Sequence, residues 1–234
     1  MKILALDTAT ENCSAALFIN GTLLEREQLL GRGAAEAILP MVHELLAAAA
    51  VALQELDAIA FGRGPGGFTG VRLAASVTQG LAFGAGLRVV PVSDLQALAQ
   101  RVLAAEPATG RVLACLDARM REVYWGAFER SEAGFALAAA PECVVAPEQV
   151  SLPVAWSTPP APIGAGSGFV AYPQLKAALA GRLGGVRERL LPRAREIAQL
   201  AVAEVAAGRL LAPEGAVPVY LRDNVAQPRA APKS

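Results

Sequence analysis

The segment GRGPGGFTGVR, residues 62–72, places five glycines within nine residues, between a short apolar run and a stretch with helical spacing. Such a turn frees the backbone for positive φ and can aim helix N-terminal amides at an anion. Gly64, Gly66 and Gly67 are thus candidates for holding a phosphate or carboxylate. The alternative is a tight β-to-α turn with close packing. No Gly-Lys-Ser/Thr follows, so the segment is not a P-loop. Asp7-Thr8-Ala9-Thr10 closes the first apolar run. Its acid, hydroxyls and amides suit a phosphate and its magnesium. The same groups can instead satisfy their own backbone in an Asx or Ser/Thr turn. Asp117–Glu122 is a third, charged turn, either closed by its own ion pairs or facing a cleft. The chain has one histidine, His43, and three scattered cysteines, Cys13, Cys115 and Cys143. A His-pair metal site is therefore excluded, zinc-ligand cysteine spacing is absent, and no G-x-S-x-G motif supports a serine triad.

These turns need elements to position them. Ile3–Leu6 reads as a central strand, 13–19 as a second, and Asn20-Gly21 as a hairpin turn returning through 22–29. Apolar residues then recur at helical spacing from Ile38 to Ala49. Residues 58–61 form another strand before the glycine turn, and Thr69 is placed to cap the helix that follows. A strand at 88–92 and a helix from Ser93 to about 105 complete the first half. The second half echoes this plan: ILALDTATENCSAALF returns as LACLDARMREVYWGAF, with eleven residues from Asp7 to Phe18 and eleven from Asp117 to Phe128. Residues 135–145 are expected to supply its third strand, 146–162 an irregular proline-rich connection, and 171–181 and 193–208 its helices. Duplicated β-β-β-α-β-α units imply two α/β lobes about a cleft, the layout of the actin-like ATPase and sugar-kinase fold. The expected divisions are 1–106 for the first lobe, 107–215 for a reduced second lobe, and 216–234 for a C-terminal segment returning to the first lobe with a frayed tail.

Composition bounds the function. The 234 residues carry 21 basic and 21 acidic side chains and are 54% hydrophobic. A large core can be buried, and no basic stripe marks direct nucleic-acid binding. The cysteines read as free thiols of a reducing compartment. The N-terminus lacks a signal-peptide core, and no membrane span is expected, so the expected location is cytoplasmic.

Five segments in order resemble the TsaB family, also called YeaZ: ILALDTAT, GRGPGGFTGVRLA, VLACLDARMREVYWGAF, IGAGSGFVAYPQL and PVYLRDNVA. The resemblance spans residues 3 to 225. Gly67 stands where the family usually has serine, which removes one hydroxyl from the loop. The resemblance implies a non-catalytic scaffold for threonylcarbamoyladenosine formation on tRNA. The family's catalytic paralogue, TsaD, holds a metal through His-x-x-x-His on the helix after the strand equivalent to 88–92. Here that helix reads SDLQALAQ, with Asp94 and Leu98 near those positions. The implied partners are a TsaD-like catalytic subunit, a TsaE-like ATPase and a second copy of the chain when alone, with tRNA reached only through the complex. No cofactor is required; an adenine nucleotide, ATP or ADP, at the subunit interface is the candidate ligand, through Asp7, Thr8, Thr10, Gly64, Gly66 and Gly67. TsaB-like proteins dock through first-lobe helices. Ile38, Leu39, Met41, Val42, Leu45 and Leu46 cover more than one helical stripe, which fits a second buried surface. The candidate contact residues are Ile38, Leu39, Val42, His43, Leu46, Arg72, Ala75, Ser76 and Gln79. The competing function is a stand-alone ATP-dependent enzyme of the actin-like fold, a small-molecule kinase or ATPase.

Overall fold

Ile3 to Leu6 carries apolar side chains on both faces, the pattern of a strand covered from both sides. In the computed structural model, which describes residues 1–222, this run is β1 (Lys2–Asp7), the middle strand of a five-stranded sheet. β2 (Asn12–Ile19) and β3 (Thr22–Leu29) add antiparallel on one side. Their hairpin turns at Asn20-Gly21, both residues at positive φ (48° and 97°), as a two-residue primed turn demands. β4 (Ala58–Gly62) and β5 (Arg88–Val92) add parallel on the other side. The order is β3-β2-β1-β4-β5. Between them run α1 (Ala34–Ala49) and α2 (Phe68–Ala85), and α3 (Asp94–Ala105) follows.

The second half repeats the topology. β6 (Arg111–Asp117), β7 (Val123–Arg130), β8 (Ala136–Ala138), β10 (Ile163–Ala165) and β11 (Gly185–Arg187) lie in the order β8-β7-β6-β10-β11, with the same pattern of parallel and antiparallel neighbours. Asp7 and Asp117 therefore end equivalent strands. The duplicated two-lobed actin-like fold expected from the sequence is the fold observed. Residues 135–145 form two short strands rather than one. β8 and β9 (Cys143–Val145) both pair with β7, and Pro141, with no N–H to donate, lies in the gap between them. β11 was not anticipated, because three residues behind a glycine pair give no periodic signal.

α1 and α2 cover one face of the first sheet, burying Leu4, Leu6, Leu17, Ile59 and Phe61 against Ile38, Val42, Leu45 and Ala82. The other two helices are exchanged. α3, from the first half, packs Leu95, Leu98 and Val102 on Val112, Ala114 and Phe128 of the second sheet. α6 (Ala194–Ala206), from the second half, packs Ala194, Ile197, Ala198 and Ala201 on Ile3, Ala5, Ala60 and Val90 of the first. The division at 106/107 thus separates the sheets, while packing crosses it. Alanines on both sides allow α6 to lie close to the sheet. α4 (Gly168–Ala171), α5 (Pro173–Ala178) and both tryptophans fill the outer face of the second lobe. The segment from 211 returns to the first lobe, where Leu211 bridges Val89. The frayed-tail expectation for the last residues lies outside those described.

This exchange predicts one cooperative unfolding transition. Trp125 and Trp156 report on the second lobe, whereas Ile197→Ala opens a cavity in the first, worth about 2–5 kcal/mol. Urea titration followed by tryptophan fluorescence should move by that amount, coincident with far-ultraviolet circular dichroism. An unmoved fluorescence midpoint would mean that the lobes unfold separately.

Candidate functional site

In an open α/β sheet, ligand crevices form beyond the carboxyl ends of the parallel strands. Here β1, β4 and β5 end side by side, and at those ends lie Asp7 to Thr10, the Gly62–Gly67 loop and Ser93-Asp94. Ser93 caps α3, its hydroxyl accepting from the Gln96 amide at 3.2 Å. Asp94, the first residue of that helix, turns inward and is fully buried, as is Asp7.

The two carboxyls are held from opposite sides. Asp7 Oδ1 accepts from the Ala9 amide at 2.8 Å, and Asp94 Oδ2 accepts from the Gly64 amide at 2.5 Å. Asp7 Oδ2 and Asp94 Oδ1 are buried and receive no other protein donor among the described residues. Gly62 lies between them, and a Cβ there would collide with Asp94 and touch Asp7. Burial pushes the Asp7 carboxyl up to about 6, although the Ala9 amide, Asp94 and the Thr8 amide pull it down. Burial first, then the charge of Asp7, raises Asp94 well above the carboxylate range against the pull of the Gly64 amide and Arg63. Two like charges buried together disfavour each other, so the Asp7 charge adds to burial in holding Asp94 toward its protonated form.

The six candidate ligand residues do come together, with polar groups of several engaged inside the two loops. Gly67 N donates to Ala9 O at 2.7 Å, Thr8 Oγ1 to Gly70 O at 2.7 Å, and Asn12 N to Thr10 Oγ1 at 3.2 Å. The Gly64 amide is already on Asp94. Gly66 lies so near Ala9 that a Cβ would sit 2.5 Å from its carbonyl oxygen. The closely packed β-to-α turn is therefore the geometry present. Thr69 does not cap α2, which begins at Phe68 behind Gly67 with no side-chain cap. The usual family serine would occupy that capping position. Leu98 is buried in the core, and among the described residues no group of three or more His, Cys, Asp and Glu side chains is placed to hold a metal ion.

The second-lobe turn is unusual. Arg119, Met120 and Arg121 are all left-handed, with φ of 60°, 53° and 63°. None is glycine, and the conformation costs roughly 1–2 kcal/mol per residue. Asp117 Oδ1 accepts from the Arg119 amide and the Tyr172 hydroxyl, both at 2.8 Å, and Ala118 N donates to Glu122 O at 3.0 Å. The intra-loop ion pair read from the sequence is present, Arg119 to Asp117 at 3.0 Å.

The proposed contact residues divide. Ile38, Val42 and Ala75 face the sheet and are buried, so they are corrected from contact residues to core. Leu39 and His43 are exposed on α1, and Leu46 is half-buried. Arg72, Ser76 and Gln79 are exposed on α2. They lie on a stripe with Phe68 and Phe83, which are 55% and 74% exposed. The spacing 68-72-76-79-83 marks one helix face and was the available signal. Cys13 and Cys115 are buried and Cys143 half-buried, all free.

The family model described as "TsaD: tRNA N6-adenosine threonylcarbamoyltransferase" matches residues 28–230. The Escherichia coli (strain K12) tRNA threonylcarbamoyladenosine biosynthesis protein TsaB is 43% identical over 97% of this chain and 96% of its own length. The Haemophilus influenzae protein of the same name is 48% identical over 56% of each. Among solved structures, YeaZ from Pseudomonas aeruginosa superposes with a TM-score of 0.86 at 44% identity, covering 94% of this chain and 99% of that one. A Pseudomonas aeruginosa structure described as an uncharacterized protein with similarity to peptidase YEAZ gives a TM-score of 0.87 at the same identity and coverage.

Two outcomes test the site. Gly66→Ala and Gly70→Ala drive a methyl into backbone atoms of Thr8 and Ala9 and should unfold the loop or the protein, at several kcal/mol. Gly67→Ser meets only ordinary contact and adds a cap, so thermal melts should show a change of a few tenths of a kcal/mol or a small gain. The acid pair adds a pH dependence. Both folded values are raised, so its contribution is full below the unfolded carboxyl value near 3.8 and is lost as pH rises through about 6 for Asp7 and higher for Asp94. Above pH 6 the folding equilibrium should weaken as pH rises for as long as Asp94 holds its proton. Asp94→Asn keeps an acceptor for Gly64 and a donor for Asp7, so its urea midpoint should be nearly flat over that range.

Proposed function

The chain belongs to the TsaB (YeaZ) family of tRNA threonylcarbamoyladenosine biosynthesis proteins, and we propose that it serves that modification as a non-catalytic docking subunit. The carrying observation is the exposed α2 stripe of Phe68, Arg72, Ser76, Gln79 and Phe83, of which Arg72 meets Tyr220 and Gln79 meets Pro213 at the edge, with Leu39 and His43 exposed on neighbouring α1. Large exposed aromatics on a helix face are the ordinary material of an interface core. Arg72 lies 3.6 Å from the Phe68 ring centroid, which fixes a long side chain before any partner arrives.

In this reading a TsaD-like catalytic subunit docks on that face, a TsaE-like ATPase joins the pair, and tRNA is met only through the assembly. A second copy of the chain covers the face when the partner is absent. The isolated chain holds no nucleotide tightly, because the Gly64 and Gly67 amides and the Thr8 hydroxyl are engaged internally. An adenine nucleotide at the assembled interface takes its phosphate ligands from the partner. The stand-alone kinase reading needs those same donors free. A peptidase reading needs a nucleophile beside a base, and His43, the one histidine, stands exposed on α1.

Leu39→Asp and Phe83→Asp replace exposed side chains and should leave the monomer melt within about 0.5 kcal/mol. Their affinity for the catalytic subunit should fall at least thirtyfold, about 2 kcal/mol, by titration calorimetry. Copurification at wild-type yield would remove the assigned face. Reconstituted tRNA modification should require this chain beside the catalytic subunit. Product formed by this chain alone from threonylcarbamoyl-adenylate and tRNA would overturn the non-catalytic role, as would micromolar ATP affinity with turnover.

A further inference from the structure

Residues 219–222 run from the first lobe to the second, gripping a different structure at each end. Val219 N donates to Arg63 O at 2.8 Å, and Val219 O lies against Gly64, whose φ of +99° suits glycine. Tyr220 Oη accepts from Arg72 Nε at 2.7 Å, and its ring lies 6.0 Å from that of Phe68. Two residues on, the Arg222 side chain is only 17% exposed. Its Nε donates to Glu122 Oε2 at 3.0 Å, its Nη2 to Ala118 O at 3.1 Å, and its Nη1 to Met120 Sδ at 3.3 Å. Arg222 thereby holds both ends and the tip of the left-handed Arg119–Arg121 turn.

Three consecutive left-handed residues with full side chains persist only where their surroundings over-determine them. The turn's own bonds do not reach the first lobe. The guanidinium of Arg222 does, through a backbone link too short for slack: neighbouring Cα atoms are about 3.8 Å apart, so Tyr220 and Arg222 cannot move independently by more than a few ångströms.

We propose that residues 219–222 are an inter-lobe latch, in which Tyr220 on the α2 face and Arg222 on the second-lobe turn act as one unit. Loss of either grip loosens the other. If α2 is the docking face, what docks there also sets the order of the Asp117–Glu122 turn. That extension rests on the docking proposal, whereas the latch is a property of the isolated chain.

Hydrogen exchange by mass spectrometry on the full chain alone, without partner, tests it. The reporters are the 118, 119 and 122 amides, bonded to Glu122 O, Asp117 Oδ1 and Arg119 O. Arg222→Ala should speed their exchange at least tenfold and Arg222→Lys less, since lysine lacks the forked geometry. Glu122→Gln should speed them as well, without altering residues 219–222 themselves. The decisive variant is Tyr220→Ala, which touches only first-lobe groups and should speed the same amides at least threefold. Amides of β1 and β4 should remain at wild-type protection throughout. If Tyr220→Ala alters residues 63–72 alone, or Arg222→Ala leaves 118–122 unchanged, the two contacts are independent and there is no latch.

Discussion

Two fully buried carboxyl groups, both pushed up by burial, set the terms for everything at the ends of β1, β4 and β5. Each acid needs a donor on its far side, and each takes a backbone amide from a loop. Asp7 fixes the turn through Ala9, and Asp94 fixes the glycine loop through Gly64. Those two loops then lie against each other closely enough that Gly66 and Gly70 admit no side chain. The glycines at 62, 66 and 70 thus answer one steric demand, the approach of three strand ends around a buried acid pair. The Gly64 and Gly67 amides and the Thr8 hydroxyl are taken up by the protein's own hydrogen bonds. The exposed stripe of α2 begins where this loop ends.

That outward face and the buried pair are physically continuous. α2 leaves the glycine loop at Phe68, and Phe68 carries Arg72, which carries Tyr220. Glu142 adds a second tie between the lobes, meeting Arg63 at 3.3 Å and accepting from the Ser93 hydroxyl. Arg63 follows the strand that ends between the two acids. The first lobe's chemistry-bearing edge is therefore tied to the second lobe by charged groups that are mostly buried, where screening by salt is weak.

Much of this could be read in the residues. The Asn20-Gly21 hairpin, the strand ending at Asp7, the helix starting at Ser93 and the echo of one half in the other all rest on local residue patterns that hold regardless of tertiary setting. The failures share a cause. Ile38, Val42 and Ala75 looked like surplus apolar surface because a single chain does not say which stripe a sheet will take. The placement of α6 depends on contacts with strands from the far half of the chain, that of α3 on a sheet formed only by the residues after it, and nothing in either helix names its sheet. Nothing in the local sequence marks Asp94 as a buried acid. Its role as a proton-bearing acid depends on Asp7, far away in sequence. Arg119-Met120-Arg121 carries no residue that favours a left-handed backbone, so its conformation follows from Arg222 and Asp117 rather than from itself.

The exchanged helices also bear on how the chain is made. The inner face of the first sheet, with Ile3, Ala5, Ala60 and Val90, is complete once β5 has emerged, yet its cover begins only at Ala194. At roughly 5–20 residues per second, about a hundred intervening residues take some 5–20 s to synthesise. For that interval a nascent, apolar half-sandwich stands open beside the ribosome. It is a natural client for chaperones, and a message cut short before α6 would yield a sticky fragment rather than a small working domain.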